Sequence, residues 1–130
     1  MRRIRVAHVI TRMCVGGAQE NTFHTVRLAN NDRYEVDLVS GRTARSEPSM
    51  EQSARDAGIE IVHVKHLVRN PSPLNDLRAY NELVRLFRER RYDIVHTHTS
   101  KAGYLGRMAA AKAGVPIVVH TPHGHIFFGY

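Results

Sequence analysis

Only one cysteine, Cys14, occurs in the 130 residues, so no internal disulfide can form. A lone thiol suits a reducing cytosol. No stretch approaches the roughly 18 apolar residues needed to cross a bilayer. The amino end, Met1-Arg2-Arg3-Ile4-Arg5-Val6, leads into an apolar segment that is short and broken by His8, a poor secretory leader. Acidic residues are few: 12 Asp and Glu against 19 Lys and Arg leave a net charge of +7 with histidines neutral. Such a field draws phosphates, acidic lipid headgroups or nucleic acid without choosing among them. No recognised nucleic-acid motif accompanies it, and the aromatics are not interleaved with basic residues for stacking, so no nucleic-acid partner is expected. The glycines after the first apolar run do not form GxGxxG, and no GK[ST] follows, which removes the dinucleotide fingerprint and the P-loop. There is no internal repeat and no low-complexity tract. A cytoplasmic protein is expected, with peripheral contact to an anionic inner membrane face.

What is present reads as one ordinary globular domain, residues 1–130. Hydrophobic residues make up 42% and charged residues 24%, and a chain of this length buries roughly two-thirds of its unfolded surface. Apolar, β-branched runs recur at 4–10, 36–39, 59–64, 94–97 and 117–121, the pattern of strands buried on both faces. Helical patterns lie between them. Residues 18–30 put Ala18, Thr22, Val26 and Ala29 on one face. Residues 48–57 form a short helix, begun by Pro48 and ended by Gly58. Residues 74–91 carry Leu77, Tyr80, Leu83, Val84 and Phe87 as a core stripe, with Arg78, Glu82, Arg85, Arg88 and Glu89 opposite and Asn75 as cap. Residues 101–113 form a helix capped by Ser100 and ended by Gly114. The segments 39–48 and 66–73 read as loops. Alternating strands and helices predict an α/β fold: a Rossmann-like open parallel sheet of about five or more strands with helices on both faces.

Three stretches carry candidate chemistry, and all fall where strands end. In Val15-Gly16-Gly17-Ala18-Gln19-Glu20-Asn21 the glycines allow backbone amides to approach an anion at a helix start. The alternative is a tight turn that binds nothing. In Asp93-Ile94-Val95-His96-Thr97-His98-Thr99-Ser100-Lys101-Ala102-Gly103 two histidines share one strand face, and a helix start follows with hydroxyls and a lysine. The plain reading makes Lys101 a solvent-facing residue of a capped helix. In Val115-Pro116-Ile117-Val118-Val119-His120-Thr121-Pro122-His123-Gly124-His125 a loop histidine, His123, stands beside a glycine that leaves room for a ligand. His8, His96 and His120 read as buried, hydrogen-bonded structural residues. Two H-x-H pairs raise a metal site, but Asp93, the nearby carboxylate, precedes its strand and belongs at the opposite end of the sheet, which leaves an all-histidine site as the alternative to no metal. Cys14 reads as a packing residue near the glycine turn, although a helix start close by also suits an activated thiolate.

Together the three stretches resemble the amino-terminal domain of glycosyltransferase family 4, retaining enzymes of GT-B architecture. The resemblance extends over essentially the whole chain. It implies a domain that mainly binds the acceptor and faces, across a cleft, a carboxyl-terminal domain holding most of the sugar nucleotide. It implies that Gly16 and Gly17 approach the donor diphosphate, that His123 is the catalytic residue near the transferred sugar, and that Gln19, His98, Ser100, Lys101, Gly124 and His125 line the acceptor side. No cofactor and no metal are expected, the nucleotide-sugar being a co-substrate. The implied partners are a sugar nucleotide, a glycan or lipid-linked acceptor and the second domain, which these residues do not include. The chain alone is then expected to be inactive. The implied setting is surface polysaccharide or glycolipid assembly. A non-catalytic binding module and a histidine-based metal-dependent hydrolase are the alternatives.

Overall fold

The computed structural model describes residues 3–11, 25–26, 33–41, 51–59, 61–68 and 72–121. Five strands, β1 (Ile4–Ile10), β2 (Tyr34–Ser40), β3 (Ile61–His63), β4 (Ile94–His98) and β5 (Ile117–Thr121), form one sheet in the order β3-β2-β1-β4-β5. Every pairing is parallel. Three helices follow among the described residues: α1 (Glu51–Asp56), α2 (Pro73–Arg90) and α3 (Ser100–Ala113). Of the helix expected over 18–30, Thr25 and Val26 are described. Both are helical, and Val26 is fully buried.

The core has two layers because side chains alternate across the strands. Ala7, Val9, Val39 and Val95 pack with Ala79, Leu83 and Phe87 of α2 and with Ala102, Leu105 and Ala109 of α3. Val6, Ile10, Val36 and Leu38 pack on the other face with Val26, Ala54 and Ile59. Helices therefore cover both faces, as the apolar runs predict. Two glycines let α3 lie close to the sheet. A Cβ on Gly103 would come within 2.5 Å of the His120 ring, and one on Gly106 within 2.6 Å of Thr97 Cγ2.

The amino ends of the strands are held by polar contacts. Asp93 accepts a hydrogen bond from the Arg5 backbone N–H at 2.8 Å. Asp37 accepts one from the Tyr92 hydroxyl at 2.6 Å and pairs with Arg90 at 3.1 Å. Asp93 thus sits at the end of the sheet away from the histidines, as expected from its place before β4.

Several boundaries and faces differ from the sequence expectation. α2 begins at Pro73, with Ser72 as its cap in extended conformation. Proline pre-sets the first helical φ and excludes helical geometry for the residue before it, so Asn75 falls inside the first turn. The cap of α3 is Thr99 instead of Ser100. Leu77 is 58% exposed and Ala79 takes its place in the core, because the buried stripe is centred on Ala79, Leu83 and Phe87. Glu82, expected on the solvated face, reaches the turn after β3 and accepts from the backbone N–H groups of Lys65 at 2.9 Å and His66 at 3.1 Å, and from the His66 ring. β5 is not buried on both faces: Ile117 is 51% exposed, since this strand is the last in the sheet order.

Gly41 closes β2 at a point with no spare room. Its N–H donates to Thr11 O at 2.9 Å, and a Cβ there would lie 2.0 Å from Leu67 O and 2.5 Å from Thr11 O. Both obstacles are backbone and cannot rotate away. Gly41→Ala is expected to destabilise the domain by about 3 kcal/mol, at the upper end of overpacking costs, read as a lower urea midpoint with an unchanged slope.

Candidate functional site at the carboxyl rim

The sheet order places a topological switch between β1 and β4. From β1 the chain builds outward through β2 and β3, then crosses back to lay β4 on the other side of β1. In open α/β sheets the crevice beyond the carboxyl ends of the strands at such a switch is where ligands bind. Here the residues that follow β1 and β4 meet: Thr11 Oγ1 and Thr99 Oγ1 are 3.0 Å apart. Thr11 Oγ1 also accepts from the Ala102 N–H at 3.3 Å, so the hydroxyl following β1 caps the helix following β4. Thr99 O accepts from the Gly103 N–H at 2.9 Å.

Thr99 itself has φ 70 and ψ 167. This region is populated essentially by glycine and costs on the order of 1–3 kcal/mol for another residue. The hydroxyl bond to Thr11 and a bond to its own neighbour, His98 O, hold it there.

Beneath this rim lies a column of imidazoles. His8 and His96 are direct partners in the β1–β4 register; His98 follows two residues on, on the same face. His8 Nδ1 and His98 Nε2 share a hydrogen bond at 2.8 Å. Ring centroids are 4.7 Å apart for His8–His96, 5.1 Å for His8–His98 and 4.4 Å for His96–His98. His96 Nε2 lies 2.6 Å from Thr121 Oγ1 of β5. His8 and His98 are buried, at 4% and 2% exposure, and His96 is half-buried. Burial, and then the charge on a protonated His96, push the His8 imidazolium down to a pKa of about 4, so His8 is neutral near pH 7.

His120 does not join this column. The register Thr97↔His120 puts it on the opposite face, where its Nδ1 lies 2.9 Å from Thr97 Oγ1. His8, His96 and His120 are thus hydrogen-bonded residues of the sheet, with His96 and His120 only half-buried. The residues expected to line the acceptor side divide. His98 is enclosed and turned toward His8. Lys101 does not face solvent: its Nζ pairs with Asp76 Oδ1 of α2 at 2.8 Å, and its side chain is 13% exposed. Ser100 is exposed at the start of α3. Cys14, Gly16, Gly17, Gln19, His123, Gly124 and His125 lie outside the described residues. Sequence reading missed the contact of His8 with His96 and His98. The signal is present, since all three follow apolar strand starts, but only the strand register brings them together.

The depressed pKa of His8 has a thermodynamic sign. In the unfolded chain the ring takes a proton near pH 6.5; in the folded chain it does so near pH 4. Its contribution to stability is therefore intact above pH 6.5 and is lost as pH falls toward 4. Between pH 7.5 and pH 5 this removes about 2 kcal/mol. His8→Leu is expected to flatten the pH dependence by that amount. Denaturant unfolding of both proteins at the two pH values, with chelator present, measures it.

Comparison with known proteins follows the same lines. Residues 16–130 match the family described as "Glycosyl transferase 4-like domain". The chain is 36% identical over 125 residues to UDP-Gal:alpha-D-GlcNAc-diphosphoundecaprenol alpha-1,3-galactosyltransferase of Escherichia coli, an alignment covering 96% of this chain and 31% of that protein. The chain therefore spans well under half the length of the curated relative it matches. Among solved structures, MurG of Acinetobacter baumannii has a TM-score of 0.69 at 16% identity, over 90% of this chain and 35% of that one. UDP-GlcNAc 2-epimerase of Neisseria meningitidis bound to UDP-GlcNAc has 0.71 at 15%, over 97% and 34%. At these identities the two structures show the fold alone. The family match extends over far more than half of the chain, and the chain belongs to the glycosyltransferase 4-like family, as an amino-terminal domain of Rossmann-like fold.

Proposed function

We propose that this domain is the acceptor-binding half of a retaining glycosyltransferase, which moves a sugar from a nucleotide-sugar to a glycan or lipid-linked acceptor in surface polysaccharide or glycolipid assembly. The observation that carries the reading is the shared rim. The chain leaves the sheet at Thr11, Thr99 and Thr121, at the same end of three adjacent strands. The glycine stretch, the Ser100-Lys101-Ala102-Gly103 helix start and the Pro122-His123-Gly124 loop follow those three points in sequence. The Escherichia coli relative is named for transfer of galactose from a uridine diphosphate donor to a lipid diphosphate-linked sugar, which supports a donor and an acceptor of those classes.

The chemistry assigned to the rim is charge stabilisation and positioning. Departure of a nucleoside diphosphate builds negative charge on its β-phosphate. Amides at Gly16 and Gly17 stabilise that charge as preorganised donors. His123 hydrogen-bonds the transferred sugar, while Gln19, Ser100, Gly124 and His125 face the acceptor. Lys101 and His98 act one step back: Lys101 ties α3 to α2 through Asp76, and His98 supports the rim from below through His8. A second domain, separate from residues 1–130, completes the cleft and holds the nucleotide. No cofactor is required beyond the nucleotide-sugar. The net charge of +7, with Leu74, Leu77, Tyr104 and Met108 exposed on α2 and α3, supports peripheral attachment at a cytoplasmic, anionic membrane face. Among the described residues no helix is long and apolar enough to cross a membrane.

Transfer assays with UDP-sugars and a diphospholipid-linked sugar test the proposal. The 130-residue chain alone is expected to give no turnover, and a form carrying the second domain is expected to be active. In that form His123→Ala should lower kcat by roughly 10²-fold, the cost of removing one preorganised donor, and Gly17→Val should lower it by a similar factor, because a branched side chain keeps the diphosphate from approaching the backbone amides. Unchanged kcat in both variants would remove the assigned roles.

A further inference from the structure

The imidazole column carries an inference independent of sugar transfer. We propose that His8, His96 and His98 form a three-histidine site for a borderline-soft divalent cation, zinc in the first instance, which clamps β1 to β4 beneath the rim. One ligand atom from each ring lies within 4.8 Å of the other two, and no other set of three metal-binding side chains is found this close among the described residues. Zinc–nitrogen bonds of about 2.0–2.1 Å in a tetrahedral site put ligand nitrogens roughly 3.3 Å apart. His8 Nδ1 and His98 Nε2, at 2.8 Å, must separate slightly and His96 must swing inward. Both are side-chain adjustments on a fixed strand register.

The donor chemistry selects the ion. Three neutral imidazoles suit zinc, copper or nickel; magnesium and calcium require oxygen ligands. No Asp, Glu or Cys joins the trio among the described residues, so these three ligands bring no negative charge. The fourth position falls to water or to the Thr121 hydroxyl, which already lies 2.6 Å from His96 Nε2. A metal here replaces the His8–His98 hydrogen bond by two coordinate bonds and ties in His96, which faces β5. Among the described residues no carboxylate joins the trio as a general base, as a hydrolytic zinc centre would require. Its role is to fix the strand pair from which the rim is built. This departs from the sequence expectation of no metal, because the sequence does not reveal that His8 sits opposite His96.

The test uses the full 130-residue chain, stripped with chelator and dialysed. Zinc titration followed by calorimetry and elemental analysis should give one tightly held equivalent per chain. Zinc should also raise the melting temperature, and chelator should reverse the rise. Cobalt(II) should give the intense visible bands of a tetrahedral site. His96→Asn and His98→Gln should each weaken zinc binding at least tenfold and abolish the cobalt bands, while His63→Ala, on the exposed end of β3, should change neither. Because His98 is enclosed, circular dichroism must first show that its variant folds; if it does not, His96→Asn decides the question. A folded wild-type chain that takes up no zinc would overturn the proposal. So would binding that survives His96→Asn but is lost in His123→Ala or His125→Ala, which would move the metal to the loop after β5.

Discussion

The pairing of β1 with β4 is the contact on which the rest of the molecule depends. It is the one place where the sheet reverses its direction of growth, because the chain must return across β2 and β1 after completing β3. Its register sets three things at once. At the amino end it brings Asp93 to the Arg5 backbone; at mid-sheet it sets His8 against His96; at the rim it brings Thr11 to Thr99. A slip of β4 by one residue against β1 would turn Val95 away from the α2–α3 core that Ala7 and Val9 face and put His96 in its place. Core closure and assembly of the rim are therefore the same event.

Much of this was legible in the residues. The five β-branched runs are the five strands, two of them to the residue, and Gly58 and Gly114 both adopt the left-handed conformation that ends a helical segment. What escaped has specific physical causes. Caps depend on which side chain or proline reaches the helix start first: Pro73 and Ser72 outweigh Asn75. Leu77 looks like a core residue by spacing, but the helix turns its Ala79 face inward, and leucine spacing cannot fix that rotation. Most of all, the parity of strand pairing cannot be read from one sequence. His96 and His120 both follow short apolar runs, yet one faces His8 and the other faces Thr97, because Thr97 and not His96 is the partner of His120. The candidate site was therefore legible as a set of strand ends but not as a set of faces.

The two ends of the sheet do different work. Toward the amino end the buried side chains are mostly apolar, with Tyr92 carrying its hydroxyl out to Asp37. Toward the carboxyl end, polar side chains enter the interior: His8, Thr11, Ser40, Thr97 and His98 are all buried. Burying such groups is costly unless each finds a partner. Here they do: His8 with His98, Thr11 with Thr99 and Ala102, Ser40 with Gly41 O, Thr97 with His120. An aliphatic core would pack this region at less risk, since a half-satisfied network is worse than none. Retaining the network, along with a threonine in glycine's conformational territory, concentrates polar and strained features at the end where the chain leaves the sheet toward the glycine and His123 stretches.

The small residues of α3 make that arrangement possible. Gly103 and Gly106 bring the helix within contact distance of His120 and Thr97, so its first turn comes down onto Thr11 instead of standing off the sheet. A bulkier residue at either position would lift α3, break the Ala102–Thr11 bond and release Thr99 from its strained geometry. The glycine of Ser100-Lys101-Ala102-Gly103 thus acts through packing. It needs no contact with a ligand to shape the rim, because it sets the height of the helix whose first residue, Ser100, is exposed there. The lysine of the same stretch is turned sideways to Asp76, which fixes the helix laterally against α2. Two of the four residues that look like a ligand motif in the sequence therefore hold the helix that presents the others.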